Sequence, residues 1–366
     1  MSTHTDDIEI KSASSEEAEC PSCGGSFEFN PSTSNLKCPY CDFEAQIADP
    51  ETEQAGVMEL DFSAATDVKN FDWGAEKKSV VCGSCGAEAI YDALEVANVC
   101  PYCDSNQLME ASAEGALSPN GVVTFEITKQ QAADNFKKWI KGKWFTPRAA
   151  KEKAKPDGFK GVYLPHWTFD TQTASRYTAE YGIDRFVKDS QGNQKKVTDW
   201  FSTSGFHQKF VDDHVVLAST RHQENILSAI RPFKTEKAKP YLPQYLSGFS
   251  AERYSVGLEQ GWTQAQKEID DILRKEITAK IKTKHNADQV RKLKVSATYS
   301  DVKFKYLMLP IWLSSFKFNS KLYNFAVNGQ TGKVGGQAPI SPLRVAVAII
   351  AGILVIGGIA YFTDII

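Results

Sequence analysis

No cysteine occurs after residue 103 of this 366-residue chain, and none before it stands outside a Cys-x-x-Cys pair. The first absence denies the rest of the chain a thiol nucleophile and a disulfide framework, and the second leaves no spare thiol near the N-terminus. Other signatures are missing too. Gly142-Lys143 and Gly332-Lys333 lack the following Ser or Thr that a phosphate-binding loop needs, and there is no His-Glu-x-x-His, Gly-x-Ser-x-Gly or Gly-x-Gly-x-x-Gly. A P-loop ATPase or helicase, a zinc protease, a serine hydrolase of the elbow type and a dinucleotide-binding enzyme are thereby disfavoured. No histidine lies between Cys20 and Cys103, and no charge interrupts 345–362.

Net charge is small, at −3, but it is unevenly distributed. Residues 1–118 carry 23 acids and 5 bases, a balance of −18, while the remainder is +15. Such a split asks for an explanation in partners or in contacts within the chain. Hydrophobic residues at 42% allow a buried core, and the length predicts two or three folded units. A mean hydropathy of −0.35 excludes a polytopic membrane protein while permitting one span. Residues 1–15 read as a disordered acidic tail rather than a signal peptide.

The cysteines form four knuckles: Cys20/Cys23, Cys38/Cys41, Cys82/Cys85 and Cys100/Cys103, with 14 residues between the knuckles of each matched pair. One module is used twice, offset by 62 residues. Two thiolates from each knuckle, brought together by an intervening hairpin, make a tetrahedral zinc site. A thioredoxin-like redox pair would use one such motif beside a βαβ unit. The sequence therefore predicts two small β zinc ribbons, at 16–47 and 77–110, each holding one Zn2+, joined by an acidic linker at 48–76. Four thiolates close each site, so the metal is read as structural. Phe27, Phe29, Tyr40, Ile90, Tyr91 and Tyr102 are left to pack on the knuckles or to meet a partner. Met58, Leu60, Phe62, Phe71 and Trp73 in the linker are candidates to pack against a ribbon. Phosphate contacts need Lys and Arg, which the ribbon half lacks, so nucleic acid is disfavoured there.

From Val345 to Phe362 the chain reads VAVAIIAGILVIGGIAYF, flanked by Arg344 and Asp364. A buried soluble helix would show a polar stripe, and this one shows none. The expectation is a transmembrane helix over 344–362 that anchors the tail in the lipid bilayer through 345–362. Arg344 and the need for reduced thiolates both place 1–343 in the cytoplasm.

Residues 119–336 are read as a basic α+β body with an antiparallel sheet. Thr128 with Gln131 is a capping box for a helix carrying Ala132, Phe136 and Trp139. A second helix runs from about Thr263 to His285, and Trp167 to Tyr181 and Phe304 to Val327 read as strands. Leu164-Pro165-His166-Trp167, Leu242-Pro243-Gln244-Tyr245 and Leu309-Pro310-Ile311-Trp312 share one pattern. It suggests either Pro at the entrance of edge strands or a duplicated strand-hairpin unit. His207, His214 and His222 are spaced seven and eight apart and could share a helix face, but their surroundings read as strand, so they are unrelated histidines in this reading, and Asp212, Asp213 and Glu224 add too little to make a metal site. Asp170 and Arg176 are candidates for a buried pair, with Tyr177 a packed aromatic. No catalytic residue is assigned, and no enzyme is expected.

The paired ribbons, the stretches LPHWTFDTQTASRYTAEYG and LPIWLSSFKFNSKLYNFAVNGQTGKVGG, and the terminal apolar run together resemble a family of uncharacterised bacterial and archaeal double-zinc-ribbon, tail-anchored membrane proteins. Such proteins are often named after the primosomal replication helicase, whose zinc region has similar cysteine pairs, but helicase motifs are absent here. The resemblance implies zinc ligation by Cys20, Cys23, Cys38, Cys41, Cys82, Cys85, Cys100 and Cys103, and offers no catalytic residues. It also implies protein partners of the phage-shock or SPFH type at the membrane. Two functions are weighed. One is an adaptor whose ribbons dock partner proteins. The other is a nucleic-acid-binding protein of replication or repair, whose scattered lysines (Lys137, Lys138, Lys141, Lys143, Lys151, Lys153, Lys155) contact phosphate.

Overall fold

Alternating and then continuous runs of apolar residues give this chain three strands far longer than the usual five or six residues. The computed structural model describes residues 20–47, 56–63, 77–82, 88–92, 108–111, 117–156, 158–188 and 192–363; in 77–79, 88–92, 108–111 and 358–363 only the backbone is described. In chain order, β1 (Glu28–Asn30), β2 (Asn35–Lys37) and β3 (Glu44–Ala45) form a small antiparallel sheet of their own. Then come β4 (Leu60–Asp61), β5 (Lys77–Cys82), β6 (Glu88–Asp92), β7 (Leu108–Ala111) and β8 (Gly121–Val122). Helices α1 (Lys129–Gly142) and α2 (Arg148–Lys153) lead into β9 (Lys160–Lys188) and β10 (Gln194–Leu217). After α3 (Glu224–Ala229), β11 (Lys239–Pro240) and β12 (Ser250–Glu252) come α4 (Leu258–His285), β13 (Gln289–Phe318), β14 (Lys321–Asn328), β15 (Val334–Gly336) and α5 (Pro342–Thr363).

The pair β9–β13 is the spine of the large sheet, antiparallel from Gln289↔Gly182 to Leu313↔Lys160. Both strands change partner along their outer edges. β9 pairs first with β12 and then with β10; β13 pairs with β4, then β8, then β14. The sheet is mostly antiparallel, with β12–β9 and β13–β8 parallel. β6 pairs with β12, so the strands around Cys82 continue the body's sheet.

The two central prolines lie at these changes of partner. Pro165 falls between the end of β10, where Leu217 faces His166, and β12, where Ala251 faces Tyr163. Pro310 falls between β8, facing Met308, and β14, facing Ile311. Their carbonyls accept from Ala218 and Gly329 at those junctions. A residue without an N–H fits where no neighbouring strand needs one. The edge-strand expectation is thus corrected: both prolines sit inside the central pair, with Leu164 opposite Leu309. The motif tryptophans do matching work. The Trp167 indole donates to the Val256 carbonyl at 2.8 Å and the Trp312 indole to that of Ile127 at 2.8 Å. Each acceptor immediately precedes the N-cap of a helix, Gly257 for α4 and Thr128 for α1. This shared geometry is what a duplicated unit would leave.

Burial divides the spine into two regimes. From Val162 to Thr171 and from Phe304 to Ile311 both faces are covered, one by α4 and the other by the α3 region with Ile226, Leu227, Ile230 and Phe233. Beyond that point only the α4 face is covered, and burial alternates along β9 and β13, as in a one-sided antiparallel sheet. Ala265, Ile269, Leu273, Ile277 and Ile281 of α4 form the buried stripe. Gly261 is required by close approach, since a Cβ there would lie 2.6 Å from the Trp167 ring. Thr128 and Gln131 make the expected capping box on α1. Phe304 to Val327 is a hairpin rather than one strand, because Asn319 and Ser320 both take positive φ in its two-residue turn.

The expected transmembrane helix is corrected. The apolar run does form α5, but among the described residues no helix is long and apolar enough to cross a membrane. The single-pass anchor, the bilayer contact through 345–362 and the cytoplasmic orientation argued from that anchor are withdrawn with it.

Candidate metal centre

Each knuckle of the first ribbon is a tight backbone loop built the same way. The Cys20 N–H donates to the Gly25 carbonyl and the Gly24 N–H returns to the Cys20 carbonyl, both at 2.8 Å. In the second knuckle the Cys38 N–H donates to Phe43 at 2.8 Å and the Asp42 N–H to Cys38 at 3.1 Å. The fourth residue after the leading cysteine is left-handed in both, Gly24 at φ 71° and Asp42 at φ 58°. Glycine takes this region freely and Asp tolerates it.

These loops bring four sulfurs together. The Sγ atoms of Cys20, Cys23, Cys38 and Cys41 all lie within 4.8 Å of one another, with Cys20–Cys41 and Cys23–Cys38 at 3.5 Å. None of them is in a disulfide. Four thiolates around one ion with metal–sulfur bonds of about 2.3 Å would sit about 3.8 Å apart, so the donor set fits one tetrahedral ion. Burial pushes the Cys38 thiol up, but the N–H groups of Tyr40 and Cys41 outweigh it and bring it down to about 7. Cys23 is drawn down by the Gly25 N–H, yet crowding by Cys38 and Cys41 pushes it up to about 12. A bound cation would relieve that crowding by favouring every thiolate.

Cys20 and Cys38 are buried with Phe27 and Leu36 in the ribbon's own small core. Phe29 faces the other way. It is 3% exposed, belongs to the core of the body, and packs edge-on against Tyr245 with ring centroids 5.9 Å apart. Its N–H donates to the Ser247 carbonyl at 2.9 Å, and Glu28 lies against Gly248. The Leu242-Pro243-Gln244-Tyr245 motif therefore forms the receptor for the ribbon. Tyr40 is 78% exposed and Phe43 41%, on the ribbon's free side. Of the second predicted site, Cys82 is buried in β5, while Cys85, Cys100 and Cys103 lie outside the described residues. In the linker, Phe62 packs on Phe169, Trp262 and Phe304, Leu60 pairs through β4, and Met58 is exposed; Phe71 and Trp73 lie outside the described residues.

The other residues singled out in the sequence fall into three separate clusters. His207 and His214 on β10 meet α4, the first 3.1 Å from Glu276 and the second 3.1 Å from Glu268. Lys209 also pairs with Glu276, and Arg231 with Glu268. His222 lies elsewhere, 2.7 Å from the fully buried Glu252, which also accepts from Ser219 and, at 3.1 Å, from Arg221. Burial pushes the Glu252 carboxyl up, but His222, Ser219 and Arg221 outweigh it and hold it below the usual range. Ser219 donates to the carboxylate rather than to the histidine, which is not the arrangement of an activated nucleophile. Glu224 accepts from Gln264 at 3.2 Å.

Asp170 does not pair with Arg176. Its carboxylate accepts from the Asp213 N–H and lies 3.7 Å from Lys305, which binds Asp213 at 2.6 Å; Glu59 completes the group. Register shifts in β10 after Val211 and in β13 after Ser300 flank Asp170 on both sides. Each extra residue re-aims its strand, which turns Asp213 inward. Burial raises Asp170 to about 6 despite the Asp213 N–H and Lys305. Glu252, Lys305 and Glu59 carried no sequence signal, because their partners are distant in the chain. In the stretch NGQTGK, Asn328 is buried and structural: its amide donates to the carbonyls of Ile230 and Pro232, and its oxygen accepts from Gln330 and Thr331. Among the lysines of α1 and α2, Lys137 pairs with Asp134, Lys143 lies over Trp139, and Lys151 caps the Lys141 carbonyl.

No family model matches this chain, and no solved structure matches it. It is similar to the uncharacterized protein YdjG of Bacillus subtilis (strain 168), with 27% identity over 335 residues, covering 90% of this chain and 91% of that protein.

Proposed function

We propose that this chain is a non-catalytic adaptor whose metal-stapled ribbon docks other proteins. One observation carries the reading. The first ribbon is fixed on the body by Phe29 and leaves Tyr40 and Phe43 exposed, so that it presents an aromatic surface from a rigid mount. The ion at Cys20, Cys23, Cys38 and Cys41 is zinc in this reading, and Cys82, Cys85, Cys100 and Cys103 hold a second. An all-thiolate site leaves no open coordination position, so the metal crosslinks the two knuckles and supplies folding energy. The acidity of the ribbon half argues for a protein rather than nucleic acid on that surface. Phage-shock-type and SPFH-type proteins are the first partners to test, on the strength of the sequence resemblance.

The experiment is capture from nuclease-treated lysate by the full chain, beside Tyr40→Ser and Cys20→Ser/Cys23→Ser variants. Defined proteins retained by the wild type and lost from both variants support docking by the ribbon. Capture unaffected by Tyr40→Ser places the docking surface elsewhere, and capture abolished by nuclease replaces this reading with nucleic-acid binding through the basic body.

A further inference from the structure

β10 is a 24-residue strand that pairs with β9, and among the described residues no strand pairs with its other edge. Long exposed strand edges template further pairing unless something blunts them. Here the edge also carries exposed aromatics, with Phe206 48% and Phe210 54% exposed. His207 and Lys209 reach Glu276 and so face α4, which puts Phe206, Gln208 and Phe210 on the uncovered face.

We propose that β10 is the interface of a homodimer, in which two copies join their sheets edge to edge about a two-fold axis at Gln208. The occupant follows from the sequence of the edge itself. Phe206-His207-Gln208-Lys209-Phe210 reads alike in both directions: aromatic, basic, polar, basic, aromatic. Antiparallel pairing about Gln208 sets Phe206 of one copy opposite Phe210 of the other, twice, on the open face. On the other face His207 meets Lys209, with the Glu276 of each copy already bound to both residues. Aromatic cross-strand pairs and matched charges are what specify register. Neighbouring registers lose this match. Pairing about Phe206 leaves Phe210 opposite Ser202, and pairing about Ser204 sets Phe206 against Ser202. The shift in register after Val211 ends the paired stretch.

The geometry leaves room for both helices. α4 packs across β9, β10 and β13 and so lies over the middle strand. Across the joined sheets the two copies of β9 would be three strand spacings apart, about 14 Å, wider than a helix diameter of about 10–12 Å. One local tie opposes the dimer: Lys280 donates to the Phe206 carbonyl at 3.0 Å.

The test is sedimentation velocity of the full chain across micromolar concentrations, with Phe206→Lys/Phe210→Lys and Lys280→Ala beside it. Circular dichroism and metal content confirm that each variant is folded. The wild type should dimerise, the double lysine variant should bind itself at least about tenfold more weakly, and Lys280→Ala should dimerise more tightly. Association that survives Phe206→Lys/Phe210→Lys unchanged overturns the proposal, as does weaker association of Lys280→Ala. A monomeric wild type also overturns it. If that monomer binds a synthetic peptide of residues 202–214, the edge takes an extended strand from elsewhere.

Discussion

Phe29→Ala should separate the ribbon from the body without emptying it. Phe29 belongs to the body's core, whereas the metal loops close around Cys20, Phe27, Leu36 and Cys38. The side chain is 3% exposed and meets Tyr245 edge-on, so its truncation removes close to a full phenylalanine from the core. Such changes cost about 3–5 kcal/mol. A loss of about 3 kcal/mol would lower the melting midpoint by about 6–12 °C for a unit of this size. Calorimetry, metal analysis and limited proteolysis together read the outcome. The account expects unchanged metal content, a lowered midpoint for the body, and new cleavage between residues 30 and 35. Phe27→Ala is the contrast, because it strikes the ribbon's own core and should lose the metal as well. Metal lost from Phe29→Ala in step with stability, or a midpoint that does not move, would refute the separation of the two cores.

Three further outcomes follow from buried groups. Gly261→Ala places a Cβ 2.6 Å from the Trp167 ring, and overpacking there should cost about 1–3 kcal/mol in urea unfolding. Glu252→Gln breaks the buried Glu252–Arg221 ion pair and should cost about 3–5 kcal/mol at neutral pH. Because the Glu252 carboxyl is held below its usual range, its stabilisation is present at neutral pH and fades as pH falls through that lowered value; the variant should lack this fall. Asp170 has the opposite sign. Raised to about 6 among Glu59, Asp213 and Lys305, it takes up a proton on folding below that pH. The wild type should therefore gain stability as pH drops from 7 towards 5, and Asp170→Asn should show a smaller gain in urea melts at those two values.

What could be read from the sequence was what lies close together in it. The Cys20/Cys23 and Cys38/Cys41 loops are set by spacing and turn residues, and the Thr128–Gln131 box by a three-residue interval. The body's helix beginning near Thr263 was legible from its stripe of Ile269, Leu273 and Ile277, but not its first turns. Gly257 and Gly261 resemble turn residues, and the reason for Gly261 is a tryptophan almost a hundred positions away. The place of Pro165 and Pro310 inside the central pair is hidden for the same reason, since their tolerance depends on where distant strands end. The charge-free terminal run with no polar stripe suggests a membrane span, whereas among the described residues no helix is long and apolar enough to cross a membrane. Among the buried polar clusters, Asp170 with Asp213 required two register shifts that no local pattern announces.

The central claim is that the paired cysteine knuckles hold an all-sulfur metal centre that closes the ribbon, which Phe29 then mounts on the body. X-ray absorption at the zinc edge, on protein purified without added metal, tests it most directly. The account predicts four sulfur neighbours at about 2.3 Å, with metal content falling by one ion per chain in Cys20→Ser/Cys23→Ser. Nitrogen or oxygen in the first coordination shell of the wild type, or cysteines found oxidised in pairs with no metal bound, would contradict it.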